Sequence, residues 1–129
     1  MSGLLRMMAG VIGSSSAGGS DGTPDAVNWA NIGPGNEPQT NANQTITGID
    51  TTISLETFYT SGLLHYSLNG GSFTFIGNGG SVDVVNNDTL RFRMDNVAPG
   101  TVTGTVTVRN ASDGDVDLDT FTYNVTLPL

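Results

Sequence analysis

Four aspartates stand two residues apart in the stretch ASDGDVDLD: Asp113, Asp115, Asp117 and Asp119. Oxygen ligands at alternate positions are the raw material of a calcium loop. The EF-hand pattern fails, because Leu118 holds the sixth position, where glycine is needed, and Asn124 the twelfth, where glutamate is needed. On a strand, alternate carboxylates share one face and repel one another unless a cation intervenes. The ladder therefore reads as a solvated outer face beginning in a turn, with Arg91, Arg93 and Arg109 as available counter-charges. His65 is the only histidine. Acid–base or metal chemistry at His65 would need convergent partners, and none lies nearby in sequence, so alternation places it outward with Ser67 as a surface residue. Glu56 and Asp83 could act as the paired carboxylates of a glycosidase. Each sits mid-strand on a polar face, with only Trp29 and three tyrosines in the chain to build a sugar platform.

Weaker signals add little chemistry. Sequons begin at Asn43, Asn87, Asn110 and Asn124, a number expected by chance in a chain so rich in Asn, Ser and Thr. The glycine run GNGG at 77–80 lies between strands rather than before a helix, so it is a turn and not a phosphate cradle. The chain has no cysteine, which removes disulfides, thiolate metal sites and cysteine nucleophiles together. Its four cations are all arginines, Arg6, Arg91, Arg93 and Arg109, against a formal net charge of −8. That balance excludes a nucleic-acid footprint, since no basic cluster exists to neutralise phosphates. No cofactor and no metal are implied.

The 129 residues fit one domain. Composition divides them near residue 43. Residues 13–43 are dominated by Gly, Ser, Asn and Pro, too polar to offset their ordering entropy alone. Val27, Trp29 and Ile32 interrupt them, with the spacing of a short extended segment laid against a core, where Trp29 packs rather than binds. Before them comes MSGLLRMMAGVIG, in which Leu4, Leu5, Met7, Met8, Val11 and Ile12 form an apolar tip. Leu4, Met8, Val11 and Ile12 fall at helical spacing, but two turns are marginal in water without a docking surface. Arg6, Gly10 and Gly13 spoil the tip as a secretory signal, and it falls far short of the ~20 apolar residues of a membrane span. The division is thus an arm over residues 1–43 and a folded domain over 44–129.

From residue 44 the pattern is one of strands. Two alternating runs flank Asn69-Gly70-Gly71, a hairpin signal; Leu64, Tyr66 and Leu68 share one face of their run, as Phe73 and Phe75 do of theirs. Val82 and Val84 point inward beside Asp83. Asn86-Asn87-Asp88 turns the chain into TLRFRM, where Leu90, Phe92 and Met94 alternate with Arg91 and Arg93. After Ala98-Pro99-Gly100, Val102, Val106 and Val108 point inward; Gly104 takes an inward position that suits a bulge or a close approach. Val116 and Leu118 keep one phase while Phe121, Tyr123, Val125 and Leu127 keep the other, which predicts a bulge near Asp119–Thr120. With Ile46, Ile53 and Leu55 supplying earlier strands, about seven to nine short strands recur at roughly 8–12-residue spacing. That is the pattern of an all-β, immunoglobulin-like antiparallel β-sandwich, with a small barrel as the second choice. The Cys…Trp…Cys signature is absent, so the similarity is architectural.

The pieces Asn87-Asp88-Thr89-Leu90-Arg91-Phe92-Arg93, Thr105-Val106-Thr107-Val108 and Leu118-Asp119-Thr120-Phe121-Thr122 resemble a recurring immunoglobulin-like module of tailed-bacteriophage virion structural proteins. Tyr66-Ser67-Leu68-Asn69-Gly70-Gly71-Ser72-Phe73 fits the same type, and the resemblance spans roughly residues 44–126. It carries no catalytic residues. It implies a non-enzymatic role on the virion, as a capsid decoration (cement) protein or a tail, neck or fibre module that touches the host surface. In the first case the partners are other virion proteins, the major capsid protein foremost. The arm residues Leu4, Leu5, Met7, Met8, Val11 and Ile12 would dock on a neighbouring subunit, methionine being adaptable at such contacts. In the second, binding belongs to loops 77–80, 86–88 and 111–115. A small glycan hydrolase ranks third. Short strands with open edges also point to a homo-oligomer. Neither nucleic acid nor a membrane is an expected partner.

Overall fold

The computed structural model describes residues 21–129; the arm residues Leu4, Leu5, Met7, Met8, Val11 and Ile12 lie outside them. Nine strands follow in order: β1 Ile32–Asn36, β2 Gln44–Thr45, β3 Ile53–Phe58, β4 Leu63–Leu68, β5 Thr74–Phe75, β6 Ser81–Val84, β7 Thr89–Asp95, β8 Gly100–Asn110 and β9 Val116–Leu127. A 3-10 turn, Ala111–Asp113, joins the last two. One sheet has the order β1-β9-β8-β3-β6 and the other β2-β7-β4-β5. This is the immunoglobulin-like sandwich that the strand spacing predicts. All pairings are antiparallel except β1 with β9, which run parallel.

Alternation builds the core. In β7 the burial pattern strictly alternates, so Leu90, Phe92 and Met94 are fully buried while Arg91 and Arg93 face outward. Val82 and Val84 of β6, Val106 and Val108 of β8, and Phe121, Tyr123 and Val125 of β9 close the same core. At its centre Phe92 meets the Trp29 ring edge-on at 5.3 Å and Phe121 at 5.3 Å. The β8–β9 register slips between Asp117 and Asp119, leaving Leu118 unpaired. The parity switch in the sequence thus corresponds to a bulge one residue before the predicted Asp119–Thr120.

The division at residue 43 needs correction. Residues 22–41 contribute to the sandwich, because Trp29 and Ile32 each bury a large apolar side chain in its core. The Trp29 amide donates to Asp119 Oδ2 at 2.7 Å, and its indole Nε1–H donates to the Leu90 carbonyl at 2.8 Å. Asn41, also buried, extends the second sheet: its N–H donates to the Phe92 carbonyl and its Oδ1 accepts from the Phe92 N–H. Earlier still, Asp25 pairs through backbone and side chain with Thr47, and Asp21 with Asp50. A Gly/Pro-rich composition is therefore compatible with order when a few anchors tie it to strands already present.

Phe73 and Phe75 do share a side, but it is the outer one, and Phe75 is 54% exposed. Gly104 lies in a continuous ladder opposite Tyr123, and a Cβ there would sit 2.7 Å from the phenol Cζ. Of the two expectations for this glycine, close approach is the one observed.

Candidate functional site

The Asp ladder is dispersed by the fold. Asp113 accepts from the Thr23 hydroxyl, Asp115 sits in the turn at φ +61°, Asp117 pairs with Arg109 at 2.8 Å, and Asp119 turns inward to the Trp29 amide. Only Arg109, of the three expected counter-charges, pairs with a member of the ladder. Among the described residues no group of His, Asp or Glu is arranged to hold a metal ion. Glu56 and Asp83 lie on the outer face of the five-stranded sheet, where Glu56 stands opposite Arg109 and Asp83 opposite Ser54. Arg109 lies over the Phe58 ring at 4.7 Å. Of the sequon asparagines, Asn110 is buried, with its Nδ2 donating to the Gly22 carbonyl and its Oδ1 accepting from the Ser112 N–H.

The convergence that matters is on the other sheet. Cross-strand pairing sets His65 opposite both Arg93 and Phe75, Ser67 opposite Arg91, and Leu63 opposite Asp95. Residues directly opposite share a face, so the pairing of β5, β4 and β7 collects these side chains on the outer side of the sheet; Ser67, expected at the surface, is itself fully covered there, its hydroxyl donating to the Gly71 carbonyl. The Phe73 ring lies under both guanidiniums, with Arg91 Cζ at 5.1 Å and Arg93 Cζ at 4.7 Å from its centroid. Such stacking contributes about 0.5–1 kcal/mol per cation at an exposed site. Arg93 Nη2 donates to Asp95 Oδ2 at 3.0 Å. His65 Nδ1 lies 3.0 Å from the Leu63 carbonyl and 3.6 Å from the same Asp95 oxygen, and its ring meets Phe75 edge-on.

His65 is thus half-buried and partnered, not the isolated surface residue that its neighbourhood in sequence suggests. Its partners come from strands some ten and thirty residues further on. Arg91 has no carboxylate partner among the described residues, and the Nε atoms of Arg91 and Arg93 are both buried without a hydrogen bond. The arrangement places two guanidiniums over one aromatic ring on the outer side of the sheet, beside an exposed phenylalanine. Chemically this is an anion-seating surface: a planar, donor-only group that suits carboxylates. Phe73, Phe75 and Asp95 are the members that sequence reading did not single out. The alternation of Arg91 and Arg93 with core residues was the visible signal for the rest.

Burial pushes the Tyr59 phenol above its ordinary value of 10.0, the hydrogen bond from the Leu64 amide opposes this, and nearby Tyr123 adds to it. The phenol donates to the Ile76 carbonyl at 2.7 Å, so it ties the end of β3 to the residue that follows β5.

No family model matches this chain, and no curated protein does. Among solved structures, the N-terminal domain of PorA is similar at 15% identity over 81% of this chain and 89% of that one, with a TM-score of 0.26. WR4, an MSP family member of C. elegans, is similar at 12% identity over 78% of this chain and 89% of that one, with a TM-score of 0.30. Likenesses at these scores carry no functional argument.

Proposed function

We propose that this chain is a non-enzymatic structural protein of a tailed-phage virion, a capsid decoration or cement protein anchored to neighbouring subunits by its N-terminal arm. The observation that carries the reading is the sequence of β7, β8 and β9 with the turn before them. The segments Asn87–Arg93, Thr105–Val108 and Leu118–Thr122 bear the resemblance to virion modules, and all fall on these three strands or the turn that leads into β7. In this reading the folded unit is the body that decorates the particle. Leu4, Leu5, Met7, Met8, Val11 and Ile12 are the residues that dock on another virion protein, the major capsid protein foremost.

The test is localisation and truncation. Cryo-electron microscopy of purified particles should show the sandwich on the capsid lattice, with residues 1–20 between shell subunits. Removing residues 1–20 should abolish particle association while the β-sheet circular dichroism persists. Binding retained by the truncation would overturn anchoring by the arm.

The second reading, a tail, neck or fibre module that touches the host surface, is favoured by the hydrogen bonds that side chains make at the loops. Asn78 Oδ1 accepts from the Tyr59 amide, Asp88 Oδ2 from the Val85 amide, and Asn110 caps the 111–113 turn. Loops held by their own side chains present fixed surfaces. A position at a fibre tip, with loss of adsorption on substitution in 77–80, 86–88 or 111–115, would replace the cement reading.

A further inference from the structure

The two outer faces of the sandwich carry opposite charge. On the four-stranded sheet, two guanidiniums, Arg91 and Arg93, share the surface with one carboxylate, Asp95, and with His65. On the five-stranded sheet, three carboxylates, Glu56, Asp83 and Asp117, share the surface with one guanidinium, Arg109. We infer that this chain self-associates face to back: the Arg91–Arg93 face of one copy seats the Glu56–Asp83 face of the next. This goes beyond the virion reading and does not depend on it.

Three observations favour a second copy as the occupant. The first is spacing. Arg91 and Arg93, two apart on one strand, project about 7 Å from each other. Glu56 and Asp83 are diagonal neighbours across β3 and β6, since Asp83 pairs with Ser54, and such neighbours lie roughly 7–8 Å apart. The two pairs therefore match. The second is that Arg91, on the outer side of β7 with its Cζ 5.1 Å from the Phe73 centroid, has no carboxylate partner among the described residues. The third is that the edges of the described sheets are poor sites for joining copies. β2 and β5 are two residues long, β1 carries Pro34, and β6 carries Asp83. Contact between copies is left to the faces, and Phe75, 54% exposed, adds apolar area beside the arginines.

The contact is heterologous, so each copy keeps one free face and growth does not stop at a dimer. Sedimentation velocity of the full chain tests this. At about 50 mM salt the weighted sedimentation coefficient should climb with concentration without a plateau. It should fall back to the monomer value at about 500 mM, where the screening length is roughly 4 Å. The neutral variant R91Q/R93Q and the neutral variant E56Q/D83N should each stay monomeric alone. Mixed, they should form a dimer of one each and stop there, because each retains one competent face. Near-ultraviolet circular dichroism confirms that both variants are folded, and E56Q/D83N changes only outer-face side chains. A wild-type chain that is monomeric throughout overturns the inference. So does association that survives in either variant or at high salt, because it would belong to another surface, the apolar arm included.

Discussion

At the scale of single residues, the core and the candidate face obey different rules. Trp29 is 2% exposed, and it is tied at both its amide and its indole to groups some sixty to ninety residues away. Trp29→Ala should cost about 3–5 kcal/mol, read as a lower urea midpoint by circular dichroism. Its burial was legible from its type and from the spacing of Val27, Trp29 and Ile32. Its hydrogen-bond partners were not, since they depend on where β7 and β9 lie. Tyr59 gives a test in pH. Below about pH 10 the folded and unfolded chains both hold the phenol proton. Above that, the unfolded chain releases it while the folded chain, with its raised value, keeps it, so stability falls as pH rises toward the folded value. Tyr59→Phe should flatten that alkaline limb in urea titrations between pH 9 and 11, and an unchanged slope would show that burial of this phenol is not its cause. His65 and Asp95 mark the limit of residue-level reading. Nothing in their own neighbourhoods announces the contact, because thirty residues of chain separate them until β4 and β7 pair.

At the scale of elements, strand parity was the strongest signal in the sequence, and it located β7, β8, β9 and the bulge within a residue. Parity states which side chains share a face but not which face is inside. Phe73 and Phe75 show the consequence: their alternation is real, yet a two-residue edge strand puts them outside against Arg91, Arg93 and His65. β1 was missed for another reason. Ile32–Asn36 reads as loop because Gly33, Pro34 and Gly35 are poor strand formers, and it is a strand only because β9 offers it an edge. Within the β8–β9 ladder, Gly104 lies beneath the Tyr123 ring, whose hydroxyl donates to the Ser61 carbonyl at 2.8 Å. Gly104→Ala would drive a methyl into that ring and should cost about 1–3 kcal/mol, checked as a drop in melting temperature. Adding Tyr123→Ala to Gly104→Ala should cost less than the two single changes summed, since the second removes the ring the first collides with.

At the scale of the whole molecule, charge acts in two opposed ways. A net charge of −8 on a domain this size repels itself, so the melting temperature of dilute protein should rise by a few degrees as salt goes from about 10 to 150 mM. The face-to-back contact depends on attraction between local patches, and the same salt should weaken it. Stability and association moving in opposite directions on one titration would separate the global field from the local one. The arrangement of the chain ends has a mechanical meaning as well. β1 and β9 run side by side in the same direction, and the segment before β1 is fastened along its length at Asp21, Asp25 and Trp29. Once those fastenings yield, a pull on the amino-terminal side and an opposite pull on the carboxyl end load the β1–β9 hydrogen bonds lengthwise, all at once, instead of peeling them one after another. Loaded through its two ends, that strand pair would resist as a lap joint does, in shear.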